Sequence, residues 1–483
     1  MLRSTKIVAT LGPASSDRET LERMVLAGVD VVRLNFSHGS AESHIQRAEL
    51  VRQVARATGR TVAVMADLQG PKIRVGKFQN GKVSLKPGDS FVLDAQCTLG
   101  DERQVGLDYP DLPKDVTAGD RLLLDDGRIA FDVVKVLGHR IECKVVQGGE
   151  LSDNKGINKK GGGLSAPALS GKDMEDIKVA AKIKADYLAV SFPKSSADMY
   201  MARQLMRAAG GNALLVAKIE RAEAVEGKTL AEIMTASDAI MVARGDLAVE
   251  VGEASVPALQ KRMIRLAREM NKITITATQM MESMIESPVP TRAEVSDVAN
   301  AVLDGTDAVM LSAETARGRY PVETVASMAR VCEEAEDSQT LELDRDFLNR
   351  VFTSVDQSIA MAAIFTAYHL KVTAIAALTE SGATPLWMSR LNCGVPIYAL
   401  AAQESTRHRC ALFRDTYPLA IDYQGDDREE LLAEAEQVLV GNGVVKDGDL
   451  IVLTVGEPIG KAGGTNTMKI VKVGEHRALI GAA

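Results

Sequence analysis

Short apolar runs of Val, Ile, Ala and Leu begin near residues 6, 31, 62, 187, 213, 239, 273 and 308 of this 483-residue chain. Most are followed by a stretch of helical pattern, at 17–27, 40–58, 173–183, 196–209, 222–235, 256–271, 293–303 and 322–338. Strand-length runs spaced roughly 25–35 residues apart, with helices between them, predict repeated βα units on a parallel sheet. Eight such units close naturally into a (β/α)8 barrel of the α/β class, whose active site sits where strands end and loops begin. Caps support the helices. Ser170 stands just before one, and Pro290-Thr291 precedes Arg292 and Glu294 as turn, cap and first-turn acid.

One spacing breaks the rhythm. Between the third and fourth runs the pattern changes to short alternating segments such as Lys82-Val83-Ser84-Leu85 and Arg140-Ile141-Glu142-Cys143, punctuated by Pro87-Gly88-Asp89, Gly119-Asp120 and Asp125-Asp126-Gly127. This predicts a separate small β-barrel domain, 71–167, inserted in the third βα loop. Gly161-Gly162-Gly163 on its return suits a hinge, and an insertion at the catalytic face is placed to act as a lid. The catalytic barrel is then discontinuous, 1–70 and 168–343. A third unit, 344–483, carries runs at 372–378, 397–400, 419–421, 450–455 and 468–473 with helices between, the clearest at 428–439. It predicts an open α/β sheet of about five strands.

Composition narrows the partners. Hydrophobic residues at 46% and charged residues at 25% are ordinary for a globular enzyme. A net charge of −8 offers no basic footprint for nucleic acid, so anions must be met by locally concentrated Lys and Arg or by metal cations. The cysteines, Cys97, Cys143, Cys332, Cys393 and Cys410, form no CxxC pair, which argues against a zinc site and for a reducing compartment. No apolar run approaches the roughly 18 residues of a membrane helix and no signal-peptide core opens the chain, so a cytoplasmic protein without a membrane partner is expected.

The chemistry lies at the ends of the runs. Arg33 and Asn35, Asp67, Lys218 and Glu220, Arg244 and Asp246, Thr278, and Ser312 and Glu314 each close one. Any of these alone can be a helix cap or half of an ion pair; their recurrence points to a site for charged oxygens. Glu220 and Asp246 end neighbouring runs, and two hard carboxylates there suit Mg2+, which takes one or two carboxylates plus substrate oxygens. Lys218, two residues from Glu220, can share its face and hold a phosphoryl group as it gains charge. Arg33 and Arg74 can add cationic clamps. Gly245, where a strand enters a loop, lets backbone N–H groups approach an anion. Thr278 and Ser312 are candidate orienting hydroxyls, while His38, Met280 and Met281 read as structural.

Several of these stretches resemble the pyruvate kinase family: Val32-Arg33-Leu34-Asn35-Phe36-Ser37-His38-Gly39, Ala217-Lys218-Ile219-Glu220, Arg244-Gly245-Asp246-Leu247, Ala277-Thr278-Gln279-Met280-Met281-Glu282-Ser283-Met284 and the segment from Pro290 to Ala301. The match runs in the family's order over essentially the whole chain. It implies a homotetramer of barrel, lid and C-terminal domains that moves phosphate from phosphoenolpyruvate to ADP, giving pyruvate and ATP in the last step of glycolysis. By matching motif it implies Lys218 as the transition-state lysine, with Arg33 and Thr278 as further catalytic groups. Glu220 and Asp246 become ligands of Mg2+ or Mn2+, and Arg33, Lys218, Gly245, Asp246 and Thr278 contacts of phosphoenolpyruvate. Arg74 and Lys155 match the nucleotide side, and Asn35, Ser37 and Asp67 the monovalent-cation site. Two rival readings exist. A metal-dependent barrel lyase or aldolase would use similar acids without a nucleotide lid, and a catalytically silent sugar-phosphate sensor would have no need of Lys218, Glu220 and Asp246.

Two places depart from the best-known members. Many carry Thr-Lys-Gly-Pro-Glu where this chain has Leu68-Gln69-Gly70-Pro71-Lys72. A fixed ammonium beside bound K+ would be repelled, so Lys72 is expected to replace the ion and make K+ unnecessary, as in a bacterial K+-independent type. In the C-terminal unit, Thr379-Glu380-Ser381-Gly382-Ala383-Thr384-Pro385 runs into a helix, with Thr384 as cap and Pro385 first. Thr379, Ser381 and Thr384 there make an expected phosphate site for an allosteric activator, over which 460–465 would close. Glu380, where some members have lysine, favours a sugar monophosphate or AMP.

Overall fold

The computed structural model describes residues 2–339, 351–391, 393–423, 427–460 and 463–475. Eight parallel strands, β1 (Lys6–Leu11), β2 (Val31–Asn35), β3 (Ala63–Asp67), β4 (Tyr187–Val190), β5 (Leu214–Ile219), β6 (Ala239–Ala243), β7 (Ile273–Ala277) and β8 (Ala308–Leu311), form a closed barrel, β8 pairing back onto β1. Their uniformly apolar runs still alternate between two faces. Val8, Met65, Tyr187, Met241 and Ile275 fill the interior, while Ile7, Ala9, Val32, Leu34 and Val64 pack under the helices. The interior cluster continues downward into Ala399 and Cys410–Phe413 of the C-terminal unit, which stopper the barrel floor.

That floor carries a fourfold repeat. Asp30, Asp186, Asp238 and Asp307 each stand one residue before an even-numbered strand, and each accepts the N–H of a residue in the preceding odd strand: Ile7 (2.8 Å), Val64 (2.8 Å), Leu215 (2.7 Å) and Thr274 (2.8 Å). Each also accepts from an arginine guanidinium: Arg3 (2.8 Å), Arg52 (2.8 Å), Arg203 (2.9 Å) and Arg390 (2.9 Å).

The insert consists of a two-stranded ribbon, Lys82–Leu85 with Gly149–Ser152, and a six-stranded, mostly antiparallel sheet ordered Ile157–Lys159, Arg121–Leu124, Ile129–Leu137, Arg140–Gln147, Ser90–Asp94, Gln104–Val105. Residues 73–76 join its two edges, Val75 donating its N–H to the Lys155 carbonyl (2.9 Å) and Gly76 to the Gly106 carbonyl (2.8 Å), so the ladder closes on itself as the small barrel expected from the sequence, with its own core around Phe91, Phe131 and Leu122. The C-terminal unit is a five-stranded sheet, β9 (Ala374–Leu378), β10 (Ile397–Ala401), β11 (Thr416–Ala420), β12 (Leu450–Gly456) and β13 (Thr465–Lys472), in the order β11-β10-β9-β12-β13 with only the last pair antiparallel. The expected junction at 343/344 lies outside the described residues. Among the described residues no helix is long and apolar enough to cross a membrane, and the five cysteines are free thiols.

Two local expectations are corrected. No loop follows β6: a helix, Arg244–Val251, starts at once, with Asp246 in its first turn where the helix dipole favours an acid. The C-terminal helix runs Ala383–Ser389 and is entered through Gly382 in the left-handed region (φ 86°), so Gly382 is its cap and Thr384 lies inside the first turn.

Candidate active site

The strand ends bring Arg33, Asp67, Lys218 and Glu220 together. Asp67 is fully buried: its Oδ2 accepts from Arg33 Nε (2.5 Å), and its Oδ1 lies 3.4 Å from Lys218 Nζ. Lys218 Nζ also lies 3.0 Å from Glu220 Oε1 and donates to Ser191 Oγ (2.7 Å). Glu220 Oε2 accepts the Phe192 N–H (2.8 Å), and Thr10 Oγ1 accepts from Arg33 Nη1 (3.0 Å).

The charges sort by what surrounds them. Burial works against ionised Asp67, but Lys218 and Arg33 outweigh it and hold the carboxyl below its ordinary range. Burial likewise opposes the Lys218 ammonium, and Asp67 and Glu220 restore it, so the lysine stays charged. Glu220 has less help. Burial pushes it up to about 7, Asp246 pushes the same way, and Lys218 and the Phe192 N–H offset only part. An acid pair starved of positive charge fits a hard divalent cation. Among the described residues no three His, Cys, Asp or Glu gather as a metal site, so a cation held by Glu220 and Asp246 must complete its shell with water and substrate oxygens.

Beside this cluster, Arg244 fixes the β6 and β7 ends to each other. It donates to the Thr278 carbonyl (2.7 Å), the Ala277 carbonyl (3.1 Å) and Asp297 (2.7 Å). Thr278 Oγ1 donates to the Ala277 carbonyl (2.6 Å) and accepts the Gly245 N–H (2.8 Å). Thr278 sits at φ +70° and Phe192 at φ +55°, where a β-branched or aromatic residue is a genuine outlier, and such strain concentrates at functional sites. Ser312 donates its N–H to Glu314 (2.7 Å), which burial pushes up.

Between barrel top and lid lies a cleft of about 1200 Å³, walled by Lys72, Arg121, Asp126 and Lys160 on one side and Arg244, Gly245, Asp246 and Gln279 on the other. Lys72 makes no ion pair among the described residues. Asn35 Oδ1 accepts the Ser37 N–H (3.1 Å). Arg74 and Lys155 stay on the lid: Lys155 pairs with Asp125 (2.6 Å), and Arg74 donates its N–H to Asp108 (2.6 Å). His38, read as structural, is exposed, while nearby His44 is buried and stacked on Phe36 at 4.2 Å. Met280 and Met281 are buried as expected.

In the C-terminal unit, Thr379, Ser381 and Thr384 line a small cavity of about 70 Å³ with Glu380, Tyr423 and Thr465. Thr379 Oγ1 accepts the Gly382 N–H (2.9 Å), and Thr384, buried, shares a hydrogen bond with Thr465 Oγ1 (2.7 Å). Lys461 and Ala462 of the expected closing loop lie outside the described residues.

Ser191, Phe192 and Thr10 escape a reading of the chain that looks for charge at strand ends. For Ser191 and Phe192 the signal is an absence: the run ending at Val190, like the one ending at Ala277, is closed by no acid or base.

Residues 2–325 match the family described as "Pyruvate kinase, barrel domain", and residues 357–471 the one described as "Pyruvate kinase, alpha/beta domain". Pyruvate kinase II of Salmonella typhimurium is 53% identical over 476 residues, covering 98% of this chain and 99% of that protein. Pyruvate kinase of Haemophilus influenzae is 53% identical over 461 residues (94% and 96%), and that of Mycobacterium tuberculosis 41% over 475 residues (98% and 99%).

Proposed function

The chain belongs to the pyruvate kinase family, transferring a phosphoryl group from phosphoenolpyruvate to ADP, and from that premise we propose how its own residues divide the work. The observation that carries the proposal is the Lys218 ammonium, gripped by Asp67, Glu220 and Ser191 beside the two strand-end carboxylates. Lys218 and Arg33 receive the oxygens of the phosphoryl group in transit, and their positions are set before substrate arrives, so little reorganisation accompanies the reaction. Gly245, Asp246 and Thr278 hold phosphoenolpyruvate, with the Gly245 N–H and the Thr278 hydroxyl already aligned on each other. Glu220 and Asp246 hold a divalent cation, Mg2+ or Mn2+, which when bound neutralises charge on the phosphoryl oxygens. Arg74 and Lys155 approach the nucleotide when the lid closes and excludes water. Thr278 through a water, or Ser312, protonates the enolpyruvate.

Lys72 on the cleft wall serves as the fixed cation of the monovalent site beside Asn35, Ser37 and Asp67, so K+ is not required. The small cavity at Thr379, Ser381 and Thr384 takes a sugar monophosphate or AMP as activator, Glu380 disfavouring a second phosphate. The working form is a cytoplasmic homotetramer.

Pyruvate formation from phosphoenolpyruvate, ADP and Mg2+ in Na+- and NH4+-free buffer tests this directly. Equal turnover with and without K+ is expected, and Lys72→Glu should make turnover require K+. Strong K+ stimulation of the unaltered enzyme would remove the role given to Lys72, and no turnover in either buffer would remove the rest.

A further inference from the structure

The fourth strand ends without a charged residue, yet its last turn touches both members of the Lys218–Glu220 pair. Ser191 is 1% exposed and its hydroxyl is used in both directions: Oγ–H donates to the Leu68 carbonyl (2.7 Å), and Oγ accepts from Lys218 Nζ (2.7 Å). The next residue, Phe192, is held at φ +55°, which turns its N–H onto Glu220 Oε2 (2.8 Å). The Arg221 guanidinium lies over the Phe192 ring at 6.0 Å. A strained aromatic residue persists only where its surroundings over-determine it, and here the strain keeps a donor on the acid next to the lysine.

The same turn bears on the lid. Leu68–Gly70 is the segment that leads through Pro71 to Lys72 and into the insert. Leu68 donates its N–H to the Ala189 carbonyl (3.0 Å), and Gly70 donates to Asp173 (3.0 Å). Gly70 sits so close that a Cβ there would lie 2.7 Å from the Ser191 Cβ. Ser191 therefore stands between the segment that carries the lid and the ammonium that meets the phosphoryl group.

We propose that Ser191 is a positioning residue for phosphoryl transfer, its hydroxyl fixing the Lys218 ammonium to the segment that leads into the lid. The proposal rests on the role given to Lys218 above. Its consequence is specific: without the hydroxyl, Lys218 keeps Asp67 and Glu220 but loses the contact that sets its place relative to the lid, so the transition state suffers more than substrate binding.

The test is a cycle of Ser191→Ala, Lys218→Met and the double variant, read by kcat, by KM for phosphoenolpyruvate and by Mn2+ affinity from electron paramagnetic resonance. Ser191→Ala is expected to lower kcat roughly 10- to 100-fold, the range for residues that orient catalytic groups, with KM changed less than about threefold. Mn2+ affinity should hold, because the Phe192 N–H on Glu220 is untouched. In the Lys218→Met background Ser191→Ala should cost nothing further. Ser191→Cys, of similar size with a weaker acceptor, should fall between wild type and Ser191→Ala, and decides the matter alone if the alanine variant does not fold. A folded Ser191 variant with kcat within about twofold of wild type, a raised KM at unchanged kcat, or an equal loss in both backgrounds would overturn the proposal. Full turnover in Lys218→Met would overturn it together with the role of Lys218, and is told apart by that single variant.

Discussion

Both ends of the barrel bury carboxylates beside lysine and arginine, and they do so to opposite effect. On the floor, each of Asp30, Asp186, Asp238 and Asp307 has a backbone N–H and an arginine. Burial opposes ionised Asp30 and Asp186, yet Arg3, Lys6 and Arg60 around the first, and His408, Arg52 and the Val64 N–H around the second, leave both below their ordinary range. At the catalytic end, Glu220 shares Lys218 with Asp67, faces Asp246, and is pushed up to about 7. The floor is electrostatically closed and stitches neighbouring strands. The catalytic end is left short of positive charge, a deficit that a divalent cation with a polyanionic substrate can fill. Satisfied acids hold a fold together; unsatisfied ones prepare it to bind.

The largest effect should separate rate from stability. Lys218→Met is expected to lower kcat by at least about 1000-fold, the scale of losing a preorganised charge in the transition state. Its effect on urea unfolding should be the smaller one, because Glu220 can take up a proton and Asp67 keeps Arg33. On the floor the order reverses. Arg390 and Asp307 are both 1% exposed, and Arg390→Met leaves a buried carboxylate whose remaining donors are the Thr274 N–H and hydroxyl and the Arg414 N–H. A loss of about 3–5 kcal/mol in urea unfolding is expected, with kcat of the folded enzyme near wild type. If Arg390→Met struck kcat and left stability alone, the division between the two ends would fail.

How much of this division can be read in the chain differs between the ends. The (β/α)8 order and the inserted β domain are legible because buried parallel strands write themselves as apolar runs, and the break in their spacing marks the insert. Arg33, Asp67, Lys218, Glu220 and Asp246 are legible because a charge closing such a run is conspicuous. The floor repeat is also written, as Asp30-Val31, Asp186-Tyr187, Asp238-Ala239 and Asp307-Ala308, but an acid before a strand looks like any loop acid until its partners are known. Those partners are distant in sequence: Arg390 is 83 residues from Asp307, and Arg52 is 134 from Asp186. The helix at Arg244 is hidden because Gly245 reads as a loop residue, and the position of Phe192 because backbone strain leaves no mark in composition.

A second acid sharpens the contrast through pH. Glu250 lies at the end of the Arg244–Val251 helix, against the return of the insert to the barrel, where its carbonyl accepts the Gly161 N–H (3.0 Å) and its carboxylate the Ala222 N–H (2.8 Å). Burial, with Glu223 adding to it, pushes its carboxyl from 4.5 up to about 7; the Ala222 N–H and Arg221 offset part of that. The folded state therefore keeps a proton that the unfolded state has released between about pH 4.5 and 7. Its contribution to stability falls as pH rises through that window and stays low above it. Glu250→Gln, neutral at every pH, should gain about 1–3 kcal/mol over wild type at pH 8 and much less at pH 5 in urea unfolding. An equal gain at both pH values would mean that packing, and no titration, distinguishes the two.

The smallest effect belongs to the floor itself and tests whether its repeat or its burial matters. Arg203 and Asp238 form the same motif as Arg390 and Asp307, at nearly the same distance, but their side chains are 23% and 28% exposed. With Arg203→Ala, Asp238 keeps the Leu215 N–H and gains water, so the loss in urea unfolding should stay below about 1 kcal/mol and shrink in high salt. The geometry of the two pairs is alike; what differs is whether a carboxylate deprived of its cation can reach solvent. A loss from Arg203→Ala as large as that from Arg390→Met would show that the floor works as one cooperative ring, each pair indispensable to the strand register of its neighbours. A small loss would show that such a pair carries weight only where it is sealed from solvent, as Arg390 of the C-terminal unit and Asp307 of the barrel are.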